Sequence, residues 1–351
     1  MQPTIVPGVA MWSVWQPDRD LYFNSWFVEG PDGNFVVDPL PADEALFERI
    51  RAKGLAAVVI TNRDHERDAA SFARTFNVPI IASMVDAREM SVEVARGVSD
   101  GDDVYGWRVV GFEGLKTAGE FALWHNSTRT AIVGDGLWGK PAGALTLMPD
   151  EKLADPNKAA LSLRRLLARN PRHILTGDGA PIFETGYATL AVTLTARKGV
   201  FASRINLDEL EIVAQTRPGR FSRSWAEIGF ALGAQRLGYA LVTIAPGQSS
   251  STYHWHTAEE ELFIVWEGTA TARSESGSFP VRRGDFIAAP VGRSGAHRFD
   301  NDGTEPCTLI AISNIDAADA ALYPDSAKLL LRGPQLMVRD HPKLDYFEGE
   351  K

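Results

Sequence analysis

Two histidines one residue apart, with a glutamate five residues further on, constrain this chain more than any other feature. They are His254, His256 and Glu261 in PGQSSSTYHWHTAEEELFIVWEG, residues 246–268. On a β-strand, residues i and i+2 face the same side, so both imidazoles point together and Trp255 points away. Glu261 opens a second apolar strand, Leu262 to Trp266, which can fold back beside the first. A third histidine, His297, follows in GDFIAAPVGRSGAHRFDN, residues 284–301. Three imidazoles and one carboxylate converging inside a small barrel would suit a divalent transition metal.

These residues resemble the two motifs of the cupin family. His254, His256, Glu261 and Gly268 fill the first. Gly284, Pro290, Gly292, His297 and Asn301 fill the second, with two extra residues before the histidine. The resemblance implies an all-β C-terminal cupin, a double-stranded β-helix or jelly-roll barrel. It also implies one divalent ion, Mn, Fe, Co, Ni or Zn, held by His254, His256, Glu261 and His297. Phe263, Val265 and Phe299 share strand faces with these ligands and should line the pocket. Tyr253 and Arg298 have the opposite parity. Arg273 and Arg293 are candidates for an anionic group at the barrel mouth, weighed against solvated surface charges. YPDSAK at 323–328 and LDYFEGE at 344–350 resemble tail segments of a branch of small bacterial cupins, whereas His341 fits no ligand pattern.

The rest of the barrel region reads as short strands between Gly, Pro, Asp and Asn turns: 238–245, 261–272, 277–281, 285–289, 296–300 and 307–313. Residues 207–213 and 225–234 fit short strands or short helices equally well.

A chain of 351 residues is long enough for two domains. The expected division is 1–198, a linker at 199–205, and 206–351. Over the first part strands and helices alternate. Strands are expected at 8–15, 21–29, 34–38, 56–61, 78–83, 104–112, 120–125, 129–134 and 174–176. Helices are expected at 43–53, 69–76, 155–169 and 185–198. Gly54 should stop the first helix, and Asp155 followed by Pro156 should open the third.

That layout, with Asp- and His-bearing turns, resembles the metallo-β-lactamase αββα sandwich. VVDPL (36–40), TNRDHERDAASF (61–72), LKTAGEFAL (115–123), IVGDGL (132–137) and ILTGDGAPI (174–182) carry the likeness. The resemblance makes the N-terminal domain α+β. Matched position by position, the family's ligands fall on Asn62, Asp64, Glu66, Arg67, Lys116, Asp135 and Asp178. Every family histidine is replaced. His65 stands one residue out of register and should point elsewhere.

Arg67 and Lys116 would put fixed positive charge where a metal pair belongs, so Asp64, Asp135 and Asp178 are expected to form an internal salt-bridge cluster with them. At ~4 Å and an effective dielectric near 20, one such pair is worth about 4 kcal/mol before desolvation. No metal is expected in this domain. A hard cation held by Asp64, Asp135 and Asp178 is the competing reading. His125 should be exposed, His173 should cap a helix end, and Trp12, Trp15, Trp26, Trp124 and Trp138 should pack.

The net charge of −9 disfavours nucleic acid and anionic membranes. A single cysteine, Cys307, excludes an internal disulfide and fits a reducing compartment. Neither a basic-plus-apolar leader nor an apolar run of membrane-spanning length is visible, so a cytoplasmic protein is expected.

Three functions compete. The first is a metal-dependent cupin of small-molecule metabolism, a dioxygenase, isomerase or similar. The second is a noncatalytic module that binds a sugar or small acid. The third is a hydrolase rebuilt around N-terminal carboxylates. A small-molecule ligand is the expected partner, and cupin resemblance implies a homodimer.

Overall fold

Neighbouring residues on a strand face opposite ways, and the front strands are apolar on both faces. Val37, Val59, Val109, Leu123, Ile132 and Leu175 form one core, packed between two sheets. Val36 and Val58 point outward with Leu46, Ile50 and Phe72, on the helices Glu44–Lys53 and Ala69–Phe76. Val110, Ala131 and Ile174 point outward on the other side with Leu163, Leu167, Leu190 and Leu194, on Pro156–Ala168 and Gly186–Thr195. The alternation thus builds an αββα sandwich, as expected.

The computed structural model describes residues 1–196, 204–340, 345, 347 and 348. It divides into two units, Met1–Arg204 and Ile205–Lys351. Residues 199–203 of the expected linker, the end of the 185–198 helix, His341 and most of the 344–350 segment lie outside the described residues.

In the front unit the first sheet runs antiparallel from Gln2–Pro3 through Val9–Gln16 and Leu21–Val28 to Phe35–Val37. It then continues parallel through Ala57–Val59, Ile80–Ser83 and Arg96–Val98. The second sheet has the order His173–Thr176, Thr130–Val133, Phe121–His125, Trp107–Gly111, Asp103–Val104. The strand expected at 104–112 is split because Tyr105 and Gly106 both take positive φ. Asp43 caps its helix by accepting from Leu46 N–H, and Asp155 accepts from Asn157 and Lys158 N–H.

In the second unit one sheet has the order Val213–Gln215, Arg223–Glu227, Leu237–Ile244, Cys307–Asn314, Glu261–Glu267, Phe286–Ala289. Gly277–Arg282, Thr269–Ser274 and Arg298–Asp300 form another. Val242, Ile244, Val265, Ala272, Phe299 and Leu309 share a core. The long strand expected at 261–272 breaks at Gly268. There φ is +78°, and a Cβ would lie 2.4 Å from the Pro306 carbonyl oxygen. Three strands went unread in the sequence: Ala320–Tyr323, Lys328–Leu331 and Leu336–Arg339, which join Trp255–His256 in a four-stranded sheet.

Among the described residues no helix is long and apolar enough to cross a membrane.

Candidate metal centre

The HxH pair is fixed from two directions. His254 and His297 exchange backbone hydrogen bonds, and Gly292 N–H donates to the His256 carbonyl. These contacts bring the second motif onto the first. The His254 ring centroid lies 5.0 Å from that of His256 and 4.7 Å from that of His297. Glu261 Oε2 reaches within 3.1 Å of His297 Nε2 and 3.4 Å of His256 Nε2. The ligand atoms of His254, His256 and Glu261 all lie within 4.8 Å of one another, and His297 joins them through its approach to Glu261.

Each ring is oriented by its other nitrogen. Nδ1 of His254 lies 2.8 Å from Thr252 O, that of His256 2.6 Å from Asp319 Oδ2, and that of His297 3.0 Å from Gly295 O. Every Nδ1 therefore faces an acceptor and carries the hydrogen, which leaves Nε2 as a lone pair aimed at the centre. Glu261 Oε2 is buried there without a well-formed hydrogen bond. Converging lone pairs and a carboxylate oxygen repel unless a cation lies between them, so the donor set fits a divalent ion.

Burial, reinforced by His297, pushes the His254 imidazole down to about 3, so it is neutral near pH 7. Burial alone would raise Glu261. Hydrogen bonding to a protonated His297, with positive charge at His256 and His254 beside it, would hold it instead at about 2, so the carboxylate draws in positive charge, whether from protons or from an ion.

The centre opens on a cavity of about 330 Å³ whose wall includes Phe263, Arg223, Trp225, Phe230, Tyr323 and Arg332. Val265 and Phe299, expected in the lining, are core residues instead. Phe299 stands behind Phe263, with ring centroids 4.8 Å apart. Parity gives the face of a strand, but the layer of side chains nearest the opening covers the next. Arg273 forks onto Asp325 and lies 3.9 Å from the Tyr253 ring centroid, and Arg293 pairs with Glu275, so both are tied up at the surface. Sequence reasoning missed Asp319, Tyr323, Arg332 and Arg223. Tyr323 stacks on His254 at 5.5 Å, and Arg332 pairs with Glu259 at 2.8 Å.

The front pocket differs from expectation at its centre. His65 does not point away. It is buried between two carboxylates, with Nδ1 2.8 Å from Asp38 Oδ2 and Nε2 3.3 Å from Asp135 Oδ1. Residues Arg63–His65 form a 3₁₀ turn, where a one-residue offset does not turn a side chain to the opposite face. Asp135 therefore pairs with His65 rather than with Arg67 or Lys116. Arg67 lies 3.0 Å from Asp178 and 3.4 Å from His65 Nε2, and also donates to Asn24 O. Lys116 pairs with Asp64 at a half-exposed edge. Asn62 accepts from Asp64 N–H, and Glu66 ties the loop at Ser91 and Val92.

Two further histidines also depart from expectation. His125 stacks on Trp107, and buried His173 accepts from Glu184 N–H inside a strand. Of the tryptophans, Trp12, Trp26 and Trp124 are buried, whereas Trp15 is exposed.

Burial and Arg67 oppose protonation of His65, but Asp38 and Asp135 outweigh them and carry its pKa up to about 10. Burial, with Asp135 adding to it, lifts Glu120 to about 8. Burial outweighs Arg67 at Asp178 and leaves that carboxyl above its ordinary range.

The sign of the His65 shift sets a pH dependence. A pKa raised from 6.5 to about 10 stabilises fully below pH 6.5 and progressively less as pH rises through 10. We predict that the front unit loses denaturant resistance across that window, with His65 contributing a limiting slope of about 1.4 kcal/mol per pH unit. A His65→Gln variant should show a shallower slope. Equal slopes in the two proteins would contradict the pairing.

Comparison with known proteins bears on both units. Residues 1–196 match the metallo-beta-lactamase superfamily and residues 240–313 match the cupin domain family. Curated proteins give no match. A putative sugar phosphate isomerase from Acidithiobacillus ferrooxidans is 28% identical over 41% of this chain and 96% of that one, with a TM-score of 0.38. A cupin-superfamily sugar phosphate isomerase from Silicibacter pomeroyi is 28% identical over 41% and 97%, with a TM-score of 0.37. A beta-lactamase domain protein from Burkholderia ambifaria is 18% identical over 55% and 74%, with a TM-score of 0.42.

Proposed function

Because the chain belongs to the metallo-beta-lactamase superfamily over residues 1–196 and carries a cupin domain at 240–313, we propose that it is a metal-dependent cupin of small-molecule metabolism with a catalytically silent front unit. The reaction class is a dioxygenation, an isomerisation or a related step. One observation carries this reading: three imidazoles turned by their Nδ1 partners so that their lone pairs meet at Glu261. His254, His256, His297 and Glu261 would hold the ion. Such a donor set suits Mn, Fe, Co, Ni or Zn. When bound, the ion supplies a Lewis acid that polarises an oxygen ligand or activates water.

The chain's own residues do the rest. Asp319 fixes the His256 ring and is itself held by Thr257 and Ala258 N–H. Tyr323 backs His254, and Phe263 keeps the inner wall apolar. Asp319→Asn should therefore weaken metal binding by about 10–100-fold, read by competition with a chromogenic chelator. Unchanged affinity would remove Asp319 from the site.

The silent front unit is supported by the Arg67 guanidinium lying between Asp178 and His65. A hydrolase is the second reading, since His65, Asp135 and Asp178 also bring ligand atoms within 4.8 Å of one another. An element-resolved X-ray scan of crystals grown with mixed divalent metals separates the two. An ion at the histidine centre supports the cupin reading. An ion at Asp135 and Asp178, with none in the barrel, would end it. Turnover on a compound panel, with and without dioxygen, tests catalysis against simple binding. A homodimer in the cytoplasm belongs to the same proposal, on cupin resemblance and the single buried Cys307, and sedimentation equilibrium tests the dimer.

A further inference from the structure

The cavity in front of the histidine centre is lined by two arginines, and they differ in one respect. Arg332 is neutralised by Glu259 at 2.8 Å. Arg223 has no carboxylate partner among the described residues. Its Nε donates to Gln215 Oε1, one terminal nitrogen donates to Ser250 O, and its guanidinium lies 4.7 Å from the Trp225 ring centroid. The side chain opens the strand Arg223–Glu227 and is held on three sides at the cavity wall.

We propose that Arg223 is the anchor for an anionic group, a carboxylate or a phosphate, on the small molecule this cavity admits, and that the same molecule presents an oxygen atom to the histidine centre. The proposal rests on the cupin reading above and adds the substrate class to it: a small oxygenated acid or phosphate ester.

Three physical points carry it. A guanidinium drawn out of water without a counter-ion costs free energy that a docking anion returns. Burial, with Arg217 nearby, already lowers the Arg223 pKa. Glu261 is the carboxylate whose charge helps it, but Glu261 is committed to the histidines and forms no hydrogen bond or ion pair with Arg223. Finally, the bonds to Gln215 and Ser250 fix the guanidinium plane, and a forked donor set held in one plane suits the paired oxygens of carboxylate or phosphate. The other charged groups in the wall are occupied. Glu227 accepts from Phe230 N–H, and Asp319 is held by His256 and Thr257. At about 330 Å³ the cavity lies at the small end of ligand sites, which favours a compact acid.

The test is isothermal titration of the metal-loaded full chain with inorganic phosphate and, separately, with acetate. Binding of one and not the other tells a phosphate site from a carboxylate site. Arg223→Gln should lose at least about ten-fold in affinity for the anion that binds, with metal content and melting temperature kept. Arg223→Lys keeps the charge without the fork and should fall between, which decides the matter should the glutamine variant fail to fold. The proposal is overturned if neither anion binds the wild-type chain, or if both variants bind like it. Anion binding that depends on Arg223 in a chain whose histidine centre takes up no metal would sink the metallocentre and leave this assignment standing.

Discussion

A His254→Ala/His256→Ala variant is expected to lose its divalent ion altogether while remaining folded. Two of the three lone pairs that meet Glu261 disappear, and the two donors that stay, His297 and Glu261, no longer surround the centre. The barrel core does not depend on these rings, because Val242, Ile244, Val265, Phe299 and Leu309 pack together in a cluster that includes neither histidine. Metal content per chain, measured after dialysis against a weak chelator, should fall to background. A second readout is thermal. An ion at 100 times its dissociation constant stabilises the native state by about 2.7 kcal/mol. Added metal should therefore raise the melting temperature of the wild-type chain and leave that of the variant unmoved. Metal kept in the variant but lost on Asp135→Ala would transfer the chemistry to the front unit.

The second large effect is expected from Asp135→Ala itself. Asp135 and Asp38 flank the buried His65 imidazolium, one at each ring nitrogen. Removing it leaves a charged ring facing Arg67 with one carboxylate instead of two. Truncating one partner of a buried charge pair costs roughly 3–5 kcal/mol. Part of that is offset at Glu120, whose carboxyl Asp135 helps to push up. Arg67 keeps Asp178 and Lys116 keeps Asp64, so neither cation is orphaned. Denaturation of the variant at pH 7 measures the loss. A stability equal to wild type would mean that His65 is not held as a cation.

The two units differ in how readily the sequence reveals them. The barrel's donor set was legible because its residues fill the two cupin motifs in order, and strand parity turns His254 and His256 to one side. The front pocket was legible in its replacements: Arg67 and Lys116 do pair with nearby aspartates. Its middle was not, because a 3₁₀ turn brings His65 inward although it stands one residue out of register with the family motif. Phe263 lines the cavity, whereas Val265 and Phe299 on matching faces are covered. Depth below a surface is set by what packs in front of a residue, and no periodicity carries that information.

The sequence alone made the two architectures and the grouping of His254, His256, Glu261 and His297 legible through their resemblance to two families' motifs, with strand parity adding that His254 and His256 share a face. Only the folded chain decided what surrounds them. Asp319 meets His256 across 63 residues, and Asp135 meets His65 across 70. Arg223 lines the same cavity as Glu261 from the strand Arg223–Glu227, whose start the sequence did not delimit. Contacts of that kind depend on where distant segments come to rest, which is governed by the packing of whole sheets rather than by any local pattern of side chains.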